Sequence, residues 1–380
     1  MFNRRNLLKS SVATLSSIAL PCLARSEPDA RETIRLGQSA PITGSQAKIG
    51  IAFRDTANAV FAESNARGSA GRTIELVTLD DEDRPERTAV NVKLLASSHE
   101  VVGLFGFVGA GAHRAGPRGA QEERLPYIAP VSGASELRSS GAPWMYTLRA
   151  SHIDELKYIA RHTQQIGVER VGLVFEYNSQ GWELRDTLTD MVEANKRTVA
   201  GISSIDHEGS KYSLPGAVSS ILARQPQAII LGADYMASAG FVKAARQAGF
   251  TGMFYTLSTV GGRALMDQLG QLARGISVTQ VVPFPWTRAS PIGRSYHAFC
   301  EQHRLEFSFE GMEAYLAANL VVDAVKRLKQ VSPARLADAL DMLPERDFGG
   351  YFASLQTPRR AASARYVDLT VYSHDGKFIK

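Results

Sequence analysis

Two cysteines in 380 residues, Cys22 and Cys300, give this chain no disulfide framework. Beyond the N-terminal segment no uninterrupted apolar run is long enough to span a bilayer, so any membrane role requires a partner. Histidine is sparse, with eight residues, no HExxH and no pair at metal-ligand spacing with a third ligand. His152, His162, His207 and His374 read as solvated surface residues. There is no Gly-x-Ser-x-Gly elbow either, so neither hydrolase nor metal chemistry is implied and no cofactor is expected. What remains is a globular composition, 44% hydrophobic and 21% charged, in a chain long enough for two domains with their own cores.

The net charge of +5 is unevenly placed. Arg4, Arg5, Lys9 and Arg25 lie in the first 26 residues with no acidic partner, which leaves the rest of the chain at +1. The basic start, the apolar stretch Val12 to Leu20 and the small residues around Ala24-Arg25-Ser26 form an export signal over 1–26. Asn3-Arg4-Arg5-Asn6-Leu7-Leu8-Lys9 fits a twin-arginine leader, and an ordinary secretory signal fits as well. A lipobox at Cys22 suits the preceding Pro21 poorly. The expected location is periplasmic, with no membrane insertion after cleavage. A nearly neutral remainder gives no reason to expect nucleic acid as a partner. Cys300, beside Phe299 in an apolar helical pattern, reads as a small buried hydrophobe.

From Ile34 onward short β-branched runs alternate with longer helical patterns. Strands are expected at 34–40, 73–80, 101–107 and 126–131, with helices at 51–65 and 88–97 and an alanine-rich stretch at 112–123. That order gives parallel βαβ units with both sheet faces covered. The pattern then restarts. Strands at 170–177, 198–206, 227–233, 253–259 and 275–283 alternate with helices at 153–166, 182–195, 213–224 and 236–248. Pro283 and Pro285 end the last ladder. Helices at 290–304, 311–330 and 333–341 sit badly as an appendage to the second half alone and read as returning to the first. The tail, 367–372 and 378–379 around Asp375-Gly376, is a hairpin. The fold class is therefore α/β: two doubly wound, Rossmann-like lobes joined by a hinge of several crossovers. The lobes are expected over 33–150 plus 283–350 and 151–282 plus 351–380.

Open α/β sheets bind ligands at the carboxyl ends of their strands. The turns there are Ala40 to Gln46, Phe107 to His113 and Pro130 to Glu136 in the first lobe. Gly109-Ala110-Gly111 and Ser132-Gly133-Ala134 offer close backbone approach and amides for an anion; plain turn formation and helix capping account for the same residues. In the second lobe Tyr235 and Trp182 could wall an apolar ligand, Trp182 equally serving to pack its own helix. Asp80-Asp81-Glu82-Asp83 could hold a cation, but Arg84, Pro85 and Arg87 favour a solvated, locally paired helix start.

Taken in order, these loops resemble the leucine/isoleucine/valine-binding protein family of periplasmic ABC transporter receptors. The matching stretches include Pro41-Ile42-Thr43-Gly44, Leu79-Asp80-Asp81 with Pro85, Gly103 to Gly109, Pro130 to Ala134, Lys243 to Gly249 and Glu310 to Tyr315. The resemblance implies a type I periplasmic binding fold, a Venus-flytrap with a three-segment hinge. Its implied activity is capture, not catalysis, of an amino acid or related small carboxylate for permease subunits of an ABC importer. A sensory binding protein on the same fold is the alternative. It further implies ligand contacts at Gly109 to Gly111 and Ser132 to Ala134, at Tyr235, at Gln180 near the ligand side chain and at Ile49 opposite. Ser258 stands where amino-acid binders carry an acid for the ligand ammonium. Either Asp234 or Glu310 substitutes, or the ligand lacks an amino group. Asp83 and Gly109 stand where some members place a disulfide.

Overall fold

The computed structural model describes residues 32–68, 70–139, 144–206, 213–355, 357 and 365–380. The leader, Cys22 and His207 lie outside them.

Two sheets organise the chain. The first is built from β1 (Thr33–Ala40), β2 (Thr73–Asp80), β3 (Gly103–Phe105), β4 (Tyr127–Ile128) and β5 (Met145–Tyr146). Its order is β2-β1-β3-β4-β5, all parallel. Helices α1 (Ala47–Arg67), α2 (Pro85–Ser97) and α3 (Ala115–Glu122) connect the strands. The second half opens with α4 (His152–Gln165), then runs β6 (Arg170–Glu176), α5 (Ser179–Ala194), β7 (Thr198–Ile205), α6 (Ser213–Leu222) and β8 (Ala228–Gly232). It continues through α7 (Tyr235–Gln247), β9 (Met253–Thr256), α8 (Arg263–Leu269) and β10 (Ser277–Gln280). Three helices follow, α9 (Pro291–His303), α10 (Phe309–Val325) and α11 (Pro333–Asp341), then the short β11 (Arg346–Asp347) and β12 (Phe352–Ala353). Finally β13 (Asp368–Tyr372) pairs antiparallel with β10, and β14 (Phe378–Ile379) pairs with β13. The second sheet has the order β14-β13-β10-β9-β8-β6-β7.

Both faces of each sheet are buried, which is why the strands read as nearly continuous apolar runs. In β8 the side chains alternate between two cores: Ile229 and Leu231 pack with α6, α7 and α8, and Ile230 with α4 and α5. In the first sheet Phe105, Ile128 and Tyr146 share a core with α1, α9, α10 and α11, whereas Leu104, Tyr127 and Met145 face α2 and α3. Helix α10, though late in the sequence, is thus a central part of the first core. Cys300 is buried in that core, and burial pushes its thiol up to about 11.

Several strands stop earlier than the sequence pattern suggests. Gly106 (φ +63°) and Ala129 (φ +48°) adopt left-handed backbone immediately after β3 and β4, where each strand ends. Neither α8 nor the β11–β12 hairpin is evident from periodicity. The chain passes between the two layers three times, between β5 and α4, between β10 and α9, and between β12 and β13.

Close approach fixes the first cleft loop. A Cβ on Gly50, in the first turn of α1, would lie 2.0 Å from the carbonyl oxygen of Pro41. Gly50→Ala must separate α1 from the end of β1, and we expect a loss of about 1–3 kcal/mol, as overpacking against backbone typically costs. A urea denaturation curve with a lower midpoint and unchanged slope is the expected result.

Candidate functional site

The carboxyl ends of both sets of strands face one cleft of about 2610 Å³. That is well above the roughly 300–1,000 Å³ of a pocket that encloses a small ligand, so the cleft is open. Its walls include the loops after β1, β2, β3 and β4 on one side and those after β6, β8, β9 and β10 on the other. A few contacts already join the two sides: Ser45 Oγ lies 2.9 Å from Tyr235 Oη, and Ser179 Oγ donates to Glu136 at 3.4 Å.

At the first crossover, just past β5, Arg149 is buried, 4% exposed, and forms part of the cleft wall. Its backbone carbonyl accepts from the guanidinium groups of Arg138 (2.8 Å) and Arg365. Its own guanidinium reaches both lobes. Nη2 donates to Ser258 Oγ at 3.1 Å, and Nε lies 3.4 Å from Oε1 of Glu313 on α10. Glu313 is 2% exposed and also lines the cleft. Glu155 on α4, fully buried, accepts from the Ser258 amide (2.7 Å) and the Thr279 hydroxyl. Burial raises both acids above the ordinary glutamate range, and the Arg149 charge opposes this in each. Nε and Nη1 of Arg149, Oε1 of Glu313 and Oε1 of Glu155 have no hydrogen-bond partner among the described residues.

Beside this cluster His152, the first residue of α4, is 6% exposed. Ser151 and Asp154 form a reciprocal cap that fixes the helix start and so the ring. The Gly133 amide donates to Nε2 at 3.2 Å, and Thr259 Oγ1 lies 3.1 Å from the same atom. An amide can only donate, so Nε2 carries the lone pair and the neutral ring has its proton on Nδ1. That proton faces the Gln180 side chain, whose amide oxygen must then be turned toward the ring. The imidazole thus ties a first-lobe loop to the second lobe.

A profile of the periplasmic binding protein family matches residues 33–368. The chain belongs to that family. Solved structures agree with the resemblance read in the sequence. A possible leucine/isoleucine/valine-binding protein from Rhodopirellula baltica is 25% identical, with a TM-score of 0.81 over 93% of this chain and 98% of that one. A substrate-binding periplasmic protein from Ralstonia solanacearum is 28% identical, with a TM-score of 0.77 over 91% and 99%. A branched-chain amino acid ABC transporter protein from Thermus thermophilus with bound valine is 15% identical, with a TM-score of 0.74 over 92% and 95%; this likeness is one of fold. Among curated proteins no sequence matches. The two-lobed type I periplasmic binding fold is therefore this chain's architecture.

In this periplasmic binding protein the strand-end residues separate into two groups. Ile49, Gly109, Ala110, Ser132, Gln180, Tyr235 and Ser258 lie on the cleft wall. Gly111, Gly133 and Ala134 lie behind it. A Cβ on Gly111 would meet Thr88 Oγ1 at 2.0 Å, so that glycine serves packing against α2. The amides expected to meet an anion are already in use: Ala110 donates to Asp83 Oδ1 (2.7 Å), Gly133 to His152, and Ala134 to Ser132 Oγ (3.2 Å). Asp83 and Gly109 are indeed neighbours, since a Cβ on Gly109 would lie 2.4 Å from Asp83 Oδ1.

Other expectations are corrected. His152 is buried rather than solvated, and His162 is half-buried against the Tyr255 ring. Within the acidic run Asp81 is buried, accepting from Ser39 Oγ, Thr88 Oγ1 and the Asp83 amide. Asp80 accepts from the Ile42 and Thr43 amides and the Thr43 hydroxyl, so these acids brace cleft loops instead of capping a helix. Among the described residues no group of acids, histidines and cysteines is placed to hold a metal ion, and no helix is long and apolar enough to cross a membrane. Trp182 packs against Phe175 and Tyr177 within its own lobe. Asp234 caps α7 through the Met236 and Ala237 amides.

Sequence reasoning missed Arg149, Glu313 and His152. Their signal was modest but present: a lone arginine in Tyr146-Thr147-Leu148-Arg149-Ala150, and a glutamate amid the apolar residues of α10. It also missed the aromatic group of Phe284, Trp286, Phe309 and Phe378 at the second crossover, where Trp286 stacks on Phe378 at 6.0 Å.

Burial, and next the nearby Arg149 and Arg138 charges, holds His152 well below its ordinary value of 6.5. The unfolded chain therefore takes up a proton below pH 6.5 that the folded ring refuses. This contribution is intact above that pH and is lost as the pH falls. Between pH 6 and 5 the wild-type protein should lose up to about 1.4 kcal/mol per pH unit more stability than His152→Gln, as measured by urea unfolding.

Proposed function

We propose that this protein is the exported substrate-binding component of an ABC importer, capturing an amino acid of branched-chain type or a related small carboxylate. The observation that carries this reading is the open cleft between two lobes, lined by strand-end loops of both and spanned by three passages of the chain. A ligand touching both walls gains contacts available only when they approach. It thereby shifts the open–closed equilibrium, and the closed form is what the permease subunits recognise. No bond is made or broken. The basic, apolar-cored leader over 1–26 supports export, and the name of the Rhodopirellula relative supports the ligand class. Ile49, Gly109, Ala110, Ser132, Gln180, Tyr235 and Ser258 are the wall residues we assign to ligand contact.

A thermal-shift screen of amino acids and small organic acids tests this reading. A ligand at a hundred times its Kd should add about 2.7 kcal/mol of stability. Tyr235→Ala, which removes an aromatic wall and its link to Ser45, should weaken the hit roughly tenfold. The ligand should be recovered unaltered. Its chemical conversion by pure protein would contradict the proposal.

A further inference from the structure

One imidazole gathers strand-end loops from both lobes. His152 opens α4 in the second lobe and is buried. Its backbone amide donates to the Gly133 carbonyl at 2.8 Å, and the Gly133 amide donates back to ring Nε2 at 3.2 Å. Gly133 lies in the first-lobe turn after β4. The approach leaves no room for a side chain there, since a Cβ on Gly133 would lie 2.3 Å from ring Cδ2. The other partners of the ring belong to the second lobe: Thr259 Oγ1 at 3.1 Å, after β9, and the Gln180 side chain in the first turn of α5. His152, Gln180 and Thr259 all line the cleft. Protonation would treat these contacts unequally. A nitrogen that accepts from an amide carries no proton, whereas an imidazolium donates from both nitrogens. A proton on Nε2 would face the Gly133 N–H, and a backbone amide cannot turn round to accept. The Thr259 hydroxyl can rotate to accept, and the Gln180 oxygen already accepts from Nδ1. A second proton on the ring therefore breaks its bond to the first lobe and keeps its bonds to the second.

The surroundings resist that second proton for as long as the loops stay together. Burial opposes it first, then Arg149 at the crossover, Arg138 in the turn 135–138 and His113 in the loop after β3. Arg365, from the last crossover, brings a third guanidinium to the Arg149 carbonyl. The acids nearby are directed elsewhere. On α4, Asp154 holds Ser151, and Glu155 takes the Ser258 amide and the Thr279 hydroxyl. Glu136 meets Ser179, and Glu183 of α5 acts on Arg138. On α10, Glu313 and Glu310 both face Arg149. The segments that touch the ring from the second lobe, 178–181 and 257–260, carry no charge. Where the loops separate, water reaches the ring and its affinity for a proton returns toward the ordinary value of 6.5. A proton thus binds the separated form more tightly, and acid shifts the equilibrium toward it.

We propose that His152 is a proton-operated catch between the lobes: acid releases the turn at Gly133, favours the open cleft and so weakens the hold on captured ligand. Only the last step rests on the capture reading above. With an ordinary histidine in the open form, the ratio of open to closed protein rises by up to about 25-fold between pH 7 and pH 5. Glu155, Glu310 and Glu313, which burial holds above the usual carboxylate range, take up protons more readily in the compact form and pull the other way. A histidine variant therefore isolates the catch.

Distances between spin labels in the ligand-free protein test this. The labels go on Ala89→Cys in α2 and Asp190→Cys in α5, both exposed, while Cys300 is buried. We expect the long-distance population to grow from pH 7 to pH 5. His152→Gln, whose amide oxygen can accept from Gly133 at either pH, should abolish that growth. His152→Leu, which has no acceptor, should show the long distance at both. Circular dichroism establishes whether the variants fold. Should they not, the wild-type protein still decides: by NMR, the imidazole of His152 should titrate over the same pH range as the distances change. Distances in the wild type that ignore pH, equal growth in folded His152→Gln, or a ring that titrates outside that range would each overturn the catch. Opening in acid, with no amino acid or small organic acid bound at either pH, would support the catch and sink the capture reading alone. A ligand bound equally well at pH 7 and pH 5 by a protein that opens would overturn the last step.

Discussion

A guanidinium sealed between two lobes is the constraint on which the rest of this structure depends. Arg149 has lost most of its water and is compensated in pieces, by Glu313 from the first core and by Ser258 and the nearby Glu155 from the second. Two further arginines grip its carbonyl, Arg138 from the first-lobe turn that precedes β5 and Arg365 from the last crossover. Burying charge in this manner costs several kcal/mol per ion unless geometry and hydrogen bonds compensate. The surrounding elements are arranged to supply them. Helix α10 runs through the first core with its N-terminal acids at the cleft, and α4 begins beside the arginine with a reciprocal cap holding its first turn.

The same constraint shapes how the two lobes meet. Were the lobes joined only by apolar contact, they would settle into one arrangement set by area. A junction of charges instead leaves Nε and Nη1 of Arg149 and Oε1 of Glu313 without hydrogen-bond partners among the described residues, on the wall of the cleft. His152 adds a neutral bridge. Its imidazole accepts from Gly133 on one side and stands against Gln180 and Thr259 on the other, so a first-lobe loop and two second-lobe loops share one side chain.

The turns that look most like an anion site show why local chemistry is a poor guide to which donors are available. A glycine-rich strand end does present amides, but an amide that can reach a ligand can equally reach a neighbour. Asp83 accepts from Ala110, Ser132 from Ala134, and His152 from Gly133. These bonds make the loops rigid, and a rigid wall is what a binding cleft requires. The acidic run from Asp80 to Asp83 belongs to the same bracing, with Asp80 and Asp81 each collecting several donors from adjacent strand ends.

Much of the architecture was legible in the residues themselves, because it depends on periodicity and punctuation. Alternating apolar runs and helical patterns imply parallel sheets covered on both faces, and most helices lie within a few residues of the expected ranges. The wall positions of the loops that carry Gln180, Tyr235 and Ser258 follow from the rule that strand ends carry ligands, whereas that of Ile49 was implied only by the family resemblance. Strand lengths were less legible, since the left-handed residues Gly106 and Ala129 that end β3 and β4 carry no signal that distinguishes them from an extended chain. The charge centre was barely legible. Arg149 and Glu313 are 164 positions apart, and each alone reads as an ordinary polar residue. The sequence by itself determined which segments form strands and helices, because those depend on neighbours along the chain. Only the tertiary structure decided which charges lose their water and face one another, because burial and Coulomb attraction depend on distance in space.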